Sequence, residues 1–246
     1  MLTMRIGFVL YDYYPFGGLQ EDCLATALAV TERGHEAHIF TRTWKGDQPE
    51  AIHAHLLGKV GWSNISRNDH FFRTLEQELP QHNLDGVVAF NRIPSADVYF
   101  AADPCYVERV KNKSFFYKLK SRHRYYKALE KTVFTTSNPP DTLVLTDQEI
   151  AAFHKHYGIA QSKFHLLPPG VAKNTRNSTL AAENRTALRA ELGCADDAVV
   201  ALFLGSGYRI KGLDRALRAI AANQTAAKDL EFWIVGNGKQ SRFATL

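Results

Sequence analysis

The chain of 246 residues reads as an α/β protein built on parallel sheet. Three observations lead there. Short apolar runs alternate with stretches of helical spacing along most of the chain. The runs at 200–204 and 232–235 are continuously apolar, as in parallel strands buried on both faces. Glycine-rich turns, Gly17-Gly18 and Gly205-Ser206-Gly207, lie between a strand and the helix that follows it.

Taken in order, residues 5–11 read as a strand and 12–18 as a loop leading into a helix over about 19–33, which Gly34 stops. Residues 35–41 supply the next strand and complete a βαβ opening. A third strand is expected at 51–57, a helix at 68–79, and buried strands at 84–90 and 97–102, the last ending in Asp103-Pro104-Cys105-Tyr106. The sheet resumes at 141–145, Asp147 caps a helix to Tyr157 that Gly158 ends, and 164–167 is an edge strand. Pro168-Pro169-Gly170 cannot continue a ladder, and the stretch 172–184, rich in Asn, Thr and Ser, reads as a linker. Domains are therefore expected at 1–171 and 185–246. The second holds a helix at 185–192 ended by Gly193, the strand at 199–203, the glycine turn, a helix at 213–222 and a strand at 230–235 before Gly236. That is too few layers to cover both faces of a parallel sheet, so this domain is expected to be incomplete.

Composition narrows the class. No run approaches the eighteen apolar residues of a membrane span, and the N-terminus lacks a secretory h-region, so a cytosolic protein is expected. Cys23, Cys105 and Cys194 are far apart and form no CxxC pair, which argues against a disulfide framework or a zinc knuckle. The net charge of +5 favours anionic partners.

Four places could carry chemistry. In the stretch 204–212 the first amides after the turn lack helical partners, and Arg209 and Lys211 stand beside them, which suits a phosphate or diphosphate. Gly17-Gly18 is either a tight turn or a second anion cradle. Asp103, beyond the carboxyl end of a strand, either caps a turn or meets a substrate. The segment 109–131 is strongly basic and interleaved with aromatics, among them Phe115, Phe116, Lys118, Lys120, Arg122, Arg124, Tyr125, Tyr126 and Lys127. Such a helix suits an anionic membrane surface, or a packed helix with a solvated basic face. No nucleic-acid module accompanies the charge, so nucleic acid is not expected as a partner. A nicotinamide enzyme is disfavoured, because Gly205-x-Gly207 lacks the third glycine of the dinucleotide fingerprint.

Together these stretches resemble the retaining glycosyltransferases of the GT-B fold, family four, in particular those that add glucose to the heptose inner core of lipopolysaccharide. The resemblance rests on Tyr14-Pro15-Phe16-Gly17-Gly18-Leu19-Gln20, the strand from Asp97 to Asp103, Ser121-Arg122-His123-Arg124-Tyr125-Tyr126, Phe153-His154-Lys155-His156-Tyr157 and Leu166-Leu167-Pro168-Pro169-Gly170. It implies a complete N-terminal Rossmann-like domain on the acceptor side and a C-terminal Rossmann-like domain, here incomplete, that holds UDP-glucose. It assigns Lys211 and Arg209 to the departing diphosphate and Asp103 to the reacting sugars. Gly17, Gly18, Asp22, Gly205, Ser206 and Gly236 fall to the donor, and the basic aromatic segment to the cytoplasmic face of the inner membrane. The resemblance implies no cofactor and no metal, in keeping with the lack of a D-x-D pair. Two features depart from it. Ile210, rather than arginine, directly precedes Lys211-Gly212, and no E-x7-E pair follows Gly205, as if the chain were C-terminally truncated. An active transferase and a non-catalytic remnant that binds acceptor or membrane both remain open at this stage.

Overall fold

A computed structural model describes residues 2–94, 96–170, 178–222, 230–239, 241 and 243. The chain forms two compact units, Met1–Gly170 and Val171–Leu246.

The first unit is organised on seven strands, β1 (Arg5–Val9), β2 (Glu36–Thr41), β3 (Ile52–Leu56), β4 (Gly86–Ala89), β5 (Val98–Ala101), β6 (Asp141–Val144) and β7 (Phe164–Leu166). They lie in the order β3-β2-β1-β4-β5-β6-β7 with every neighbouring pair parallel. Successive strand residues point to opposite faces, and the apolar runs fill both. Phe8 and Ile39 pack with Cys23 and Ala27 of α1 (Gly18–Thr31). Val9 and Phe40 belong to the opposite core, with Phe71 and Leu75 of α2 (Asn64–Glu78). After β5 come two short helices, α3 (Tyr106–Arg109) and α4 (Phe115–Lys118), then α5 (Ser121–Phe134) and α6 (Asp147–Tyr157). Val133, Phe134, Ala152 and Phe153 carry α5 and α6 onto the same core as α2. Both faces are covered, as an all-parallel sheet requires. Strand order changes direction between β1 and β4, so their carboxyl ends flank a switch point.

Three expectations change. α2 starts at Asn64, not 68, because Ser63 and Ser66 close a reciprocal cap: Ser66 N donates to Ser63 Oγ at 3.1 Å and Ser63 N to Ser66 Oγ at 3.0 Å. Thr146 holds the cap position of α6, leaving Asp147 in its first turn, where a carboxylate complements the helix dipole. The stretch read as a linker at 172–184 is helical from residue 178 onward, within α7 (Ser178–Glu191). Ala181, Ala182, Glu183, Arg185, Ala187, Leu188 and Arg189 are good helix formers and outweigh the Ser, Thr and Asn that suggested a coil.

In the second unit β8 (Val199–Leu204) pairs in parallel with β9 (Leu230–Val235) along six positions. α8 (Tyr208–Lys211) and α9 (Leu213–Ala222) follow β8. Arg189, buried at the end of α7, donates to Ala198 O at 3.0 Å and ties that helix to the approach to β8. Leu202 and Leu204 of β8 are 58% and 72% exposed. Among the described residues no helix is long and apolar enough to cross a membrane.

Candidate active site

Because all strands of the first unit run the same way, the segments leaving β1, β4 and β5 meet at one edge. Tyr11 N donates to Asn91 Oδ1 at 2.7 Å and joins the β1 and β4 segments across the switch point. Beside them opens a pocket of about 460 Å³, lined by Tyr11, Asn91, Arg92, Asp103, Tyr106, Arg109, Tyr117, Lys120, Arg122, Tyr126 and Leu129.

The base of the pocket is fixed by Glu130 of α5, which is fully buried. Its Oε1 accepts from Arg92 Nε at 2.9 Å and from Tyr106 N at 2.7 Å. Its Oε2 accepts from Tyr157 OH at 2.6 Å and from Val107 N at 3.2 Å. A carboxylate so surrounded has its desolvation offset by donors on both oxygens. Arg92 also donates through Nη2 to Pro104 O at 2.7 Å, and its Nη1 lies 3.6 Å from Asp103 Oδ2. Burial opposes the charge on Arg92, but Tyr99, Glu130 and Asp103 together move its pKa upward, so it stays a cation. Burial, followed by the bond to Glu130, likewise raises the Tyr157 phenol and keeps it a donor.

Cations form the walls, each set over an aromatic face. Arg109 lies 5.4 Å from the Tyr106 ring centroid, Lys120 6.0 Å from Tyr117 and Arg122 5.7 Å from Tyr126. Each such contact contributes roughly 0.5–1 kcal/mol at exposed sites and restrains a long side chain. Asp103, mostly exposed, is the one carboxylate on the lining among the described residues. Four cations, four tyrosines and one acid suit a hydroxyl-rich ligand that carries negative charge.

The basic aromatic segment divides between this pocket and the outside. Lys120, Arg122 and Tyr126 line the pocket, and Tyr125 OH donates to Asp69 Oδ1 at 2.9 Å. Phe115 and Phe116 on α4 are 70% and 79% exposed, with Lys118, Arg124 and Lys127 exposed nearby in sequence. Asn91, Arg92, Tyr106, Arg109 and Glu130 are site residues that the sequence reading passed over. Asn91-Arg92 directly follows the strand read at 84–90, a position that marks a site in any doubly wound sheet.

Gly17 caps α1 and Gly18 begins it; neither is on that lining. A side chain at Gly17 would lie 2.2 Å from Gln20 Oε1 and 2.7 Å from the Tyr14 ring, whereas Gly18 has open space around it. The loop before them is pinned by Asp12, whose carboxylate accepts from Arg42 Nη2 at 2.6 Å, Thr43 Oγ1 at 2.9 Å and Lys59 Nζ at 3.1 Å. Asp22 is exposed on α1, its carboxyl raised by partial burial and then by Glu21.

In the second unit the carboxyl ends of β8 and β9 close against one another. A Cβ on Gly236 would lie 2.2 Å from Gly205 O, so the two turns touch backbone to backbone. Ser206 Oγ accepts from Asn237 N at 3.1 Å, and Tyr208 OH donates to Gly236 O at 2.7 Å. Gly207, at φ 72°, supplies the left-handed residue that turns the chain into α8. The Lys211 stem lies over the turn, its Cγ 3.6 Å from where a Gly205 side chain would begin. Arg209 and Lys211 are two positions apart on α8, a spacing at which side chains do not face one another.

A doubly wound parallel sheet with a polar pocket at its switch point, followed by a unit with a strand–glycine turn–helix, defines a Rossmann-type α/β protein of the GT-B glycosyltransferase class. Residues 16–174 match the model of Glycosyltransferase Family 4, and the chain belongs to that family. It is 36% identical over 245 residues to the lipopolysaccharide glucosyltransferase WaaG of Escherichia coli K12, covering 99% of this chain and 66% of that protein. Its fold superposes on a crystal structure of WaaG with a TM-score of 0.88, covering 98% of this chain and 65% of that one. The catalytic domain of starch synthase IV from Arabidopsis thaliana, 11% identical with a TM-score of 0.63, shares the fold.

Proposed function

We propose that the chain acts in lipopolysaccharide core synthesis, transferring glucose from UDP-glucose to an inner-core heptose with retention of configuration. The observation that carries this reading is the pocket of Arg92, Arg109, Lys120 and Arg122 with its four tyrosines, at the switch point of the sheet in a chain 36% identical to WaaG over 245 residues. In this reading the pocket holds the charged, hydroxylated acceptor, and Asp103 meets the reacting sugars. The turn at Gly205-Ser206-Gly207 receives the donor diphosphate. As the glucose C1–oxygen bond to the diphosphate breaks and C1 bonds to the acceptor oxygen, the acceptor hydroxyl gives its proton to the departing diphosphate oxygen, and Lys211, with Arg209, neutralises the departing charge. Gly18, with open space around it, lets backbone come close to the donor, and Asp22 stands one turn along α1. Neither cofactor nor metal enters this scheme.

Phe115 and Phe116 point outward from a basic segment, which supports docking on the anionic cytoplasmic face of the inner membrane, where a lipid-linked acceptor resides. Each cation near such a surface contributes about 1 kcal/mol. The test is incubation with UDP-glucose and a heptose-ended core. An α-linked glucose on heptose is expected; a β-linked product would overturn retention. Acceptor binding without any transfer would favour a second reading, an acceptor-binding module, for which the completeness of the first unit's sheet and pocket speaks.

A further inference from the structure

Away from the pocket, and sharing no residue with it, imidazoles gather on the α2 side of the sheet. His38 on β2 and His55 on β3 share a face with Phe40, and His82 reaches them from the short helix Leu79–His82 that follows α2. His38 Nδ1 lies 3.0 Å from His55 Nε2, and the His55 and His82 rings are centred 4.2 Å apart. One ring nitrogen from each of the three lies within 4.8 Å of the others. A tetrahedral ion with metal–nitrogen bonds of 2.0–2.1 Å holds its ligand atoms about 3.3 Å apart, so modest side-chain rotation gathers this set around one ion.

We propose that His38 Nδ1, His55 Nε2 and a ring nitrogen of His82 bind a divalent transition-metal ion of the zinc type, with water at the fourth position. Three imidazoles without a thiolate or a carboxylate ligand suit zinc, nickel or copper rather than magnesium or calcium. The surroundings are those of a metal-binding histidine. The other nitrogen of His38, Nε2, faces Glu36 Oε2 at 3.5 Å, and Glu36 is itself held by Arg5 Nε at 3.0 Å. A carboxylate there fixes the tautomer that leaves the Nδ1 lone pair toward His55. Phe40 stacks on His55 with centroids 4.5 Å apart and walls off the inner side, while the His82 side chain, 21% exposed, leaves a way in. Burial, then the neighbouring His82 and His38, lowers the His55 pKa to about 4, and burial also lowers that of His38. An ion here would tie β2 and β3 to the turn after α2 and stabilise that edge of the sheet.

The experiment uses the whole chain without a polyhistidine tag, stripped with chelator and titrated with Co²⁺ and then Zn²⁺. Expected are one equivalent of Co²⁺ with the strong visible absorption of a tetrahedral site, displacement by Zn²⁺, and a rise in melting temperature. His55→Gln and His82→Gln should each weaken binding at least tenfold or so, whereas His53→Gln, altering an exposed ring that stacks on His38 and forms with His38 and Glu36 the competing ligand group, should not. His82 lies outside the strands, so His82→Gln keeps the test open should His55→Gln fail to fold. A folded wild-type chain that takes up neither ion, or one whose binding survives His82→Gln but not His53→Gln, overturns the assignment.

Discussion

Arg92 Nε lies 2.9 Å from Glu130 Oε1, an ion pair whose carboxylate is fully buried and whose guanidinium reaches on to Pro104 O and Asp103. The pair joins the segment leaving β4, the segment leaving β5 and helix α5, three of the elements that enclose the pocket. Removing one partner leaves the other as a buried, unmatched charge or donor. Glu130→Gln should therefore destabilise the chain by about 3–5 kcal/mol in urea unfolding. A loss below about 1 kcal/mol would show that the network is not needed to hold the pocket together.

The wall cations make a different forecast. Arg109 and Lys120 are exposed at the pocket rim, so Arg109→Ala and Lys120→Ala should leave the melting temperature within about a degree or two. Acceptor affinity should fall about tenfold or more in each, with a shallower salt dependence, as expected for charge-assisted hydrogen bonds. Calorimetric titration at two ionic strengths reads both effects.

Fold and site were legible to different degrees. Strand positions showed in the apolar runs because a parallel sheet covered on both faces has little choice of residue there. Of the span 172–184, residues 172–177 lie outside the described residues; 178–184 misled because Ser, Thr and Asn mark both coils and helix starts, and only the Ala-rich continuation decides between them. The membrane assignment of Lys120, Arg122 and Tyr126 came from composition along one helix. Sequence spacing cannot show that the chain breaks between α4 and α5, which places these three on the pocket while Phe115 and Phe116 stay outside. In the sequence Glu130 is the one acid within the basic segment 109–131. Its burial depends on Arg92 and Tyr157, residues distant in sequence, which no local pattern reports.

Gly236 and Gly18 form a contrasting pair. Gly236 has φ 141° and backbone atoms of Gly205 where a side chain would go, so Gly236→Ala should cost more than about 2 kcal/mol and speed amide exchange along β8 and β9. Gly18→Ala should leave stability nearly unchanged, and any loss it causes should appear in UDP-glucose affinity. Equal effects of the two on exchange would contradict the backbone contact.

Asp12 gives the chain a pH dependence of definite sign. Burial pushes its carboxyl up, but hydrogen bonds from Arg42 and Lys59, together with the charge of Arg42, hold it below the ordinary carboxylate value. The unfolded chain, with an ordinary carboxyl, takes up the proton first as pH falls below about 4. The stabilisation is thus present above that value and lost as pH falls further, through the folded-state pKa. Asp12→Asn should be less stable at pH 7 and show a flatter acid limb in stability against pH; an unchanged limb would place the acid sensitivity elsewhere.

The outward phenylalanines answer to vesicles. Phe115→Ser with Phe116→Ser should reduce sedimentation with anionic vesicles about tenfold or more, given roughly 1.5–3 kcal/mol for each buried phenyl group, while leaving acceptor binding intact. Undiminished vesicle binding would remove α4 from the membrane contact.

The most direct test of the account is calorimetric titration of the chain with a heptose-ended core oligosaccharide, alongside Arg109→Ala and Lys211→Ala. The pocket reading predicts saturable one-to-one binding that Arg109→Ala weakens about tenfold and Lys211→Ala leaves alone, with UDP-glucose binding showing the reverse pattern. Acceptor binding unaffected by Arg109→Ala but lost in Lys211→Ala would contradict it.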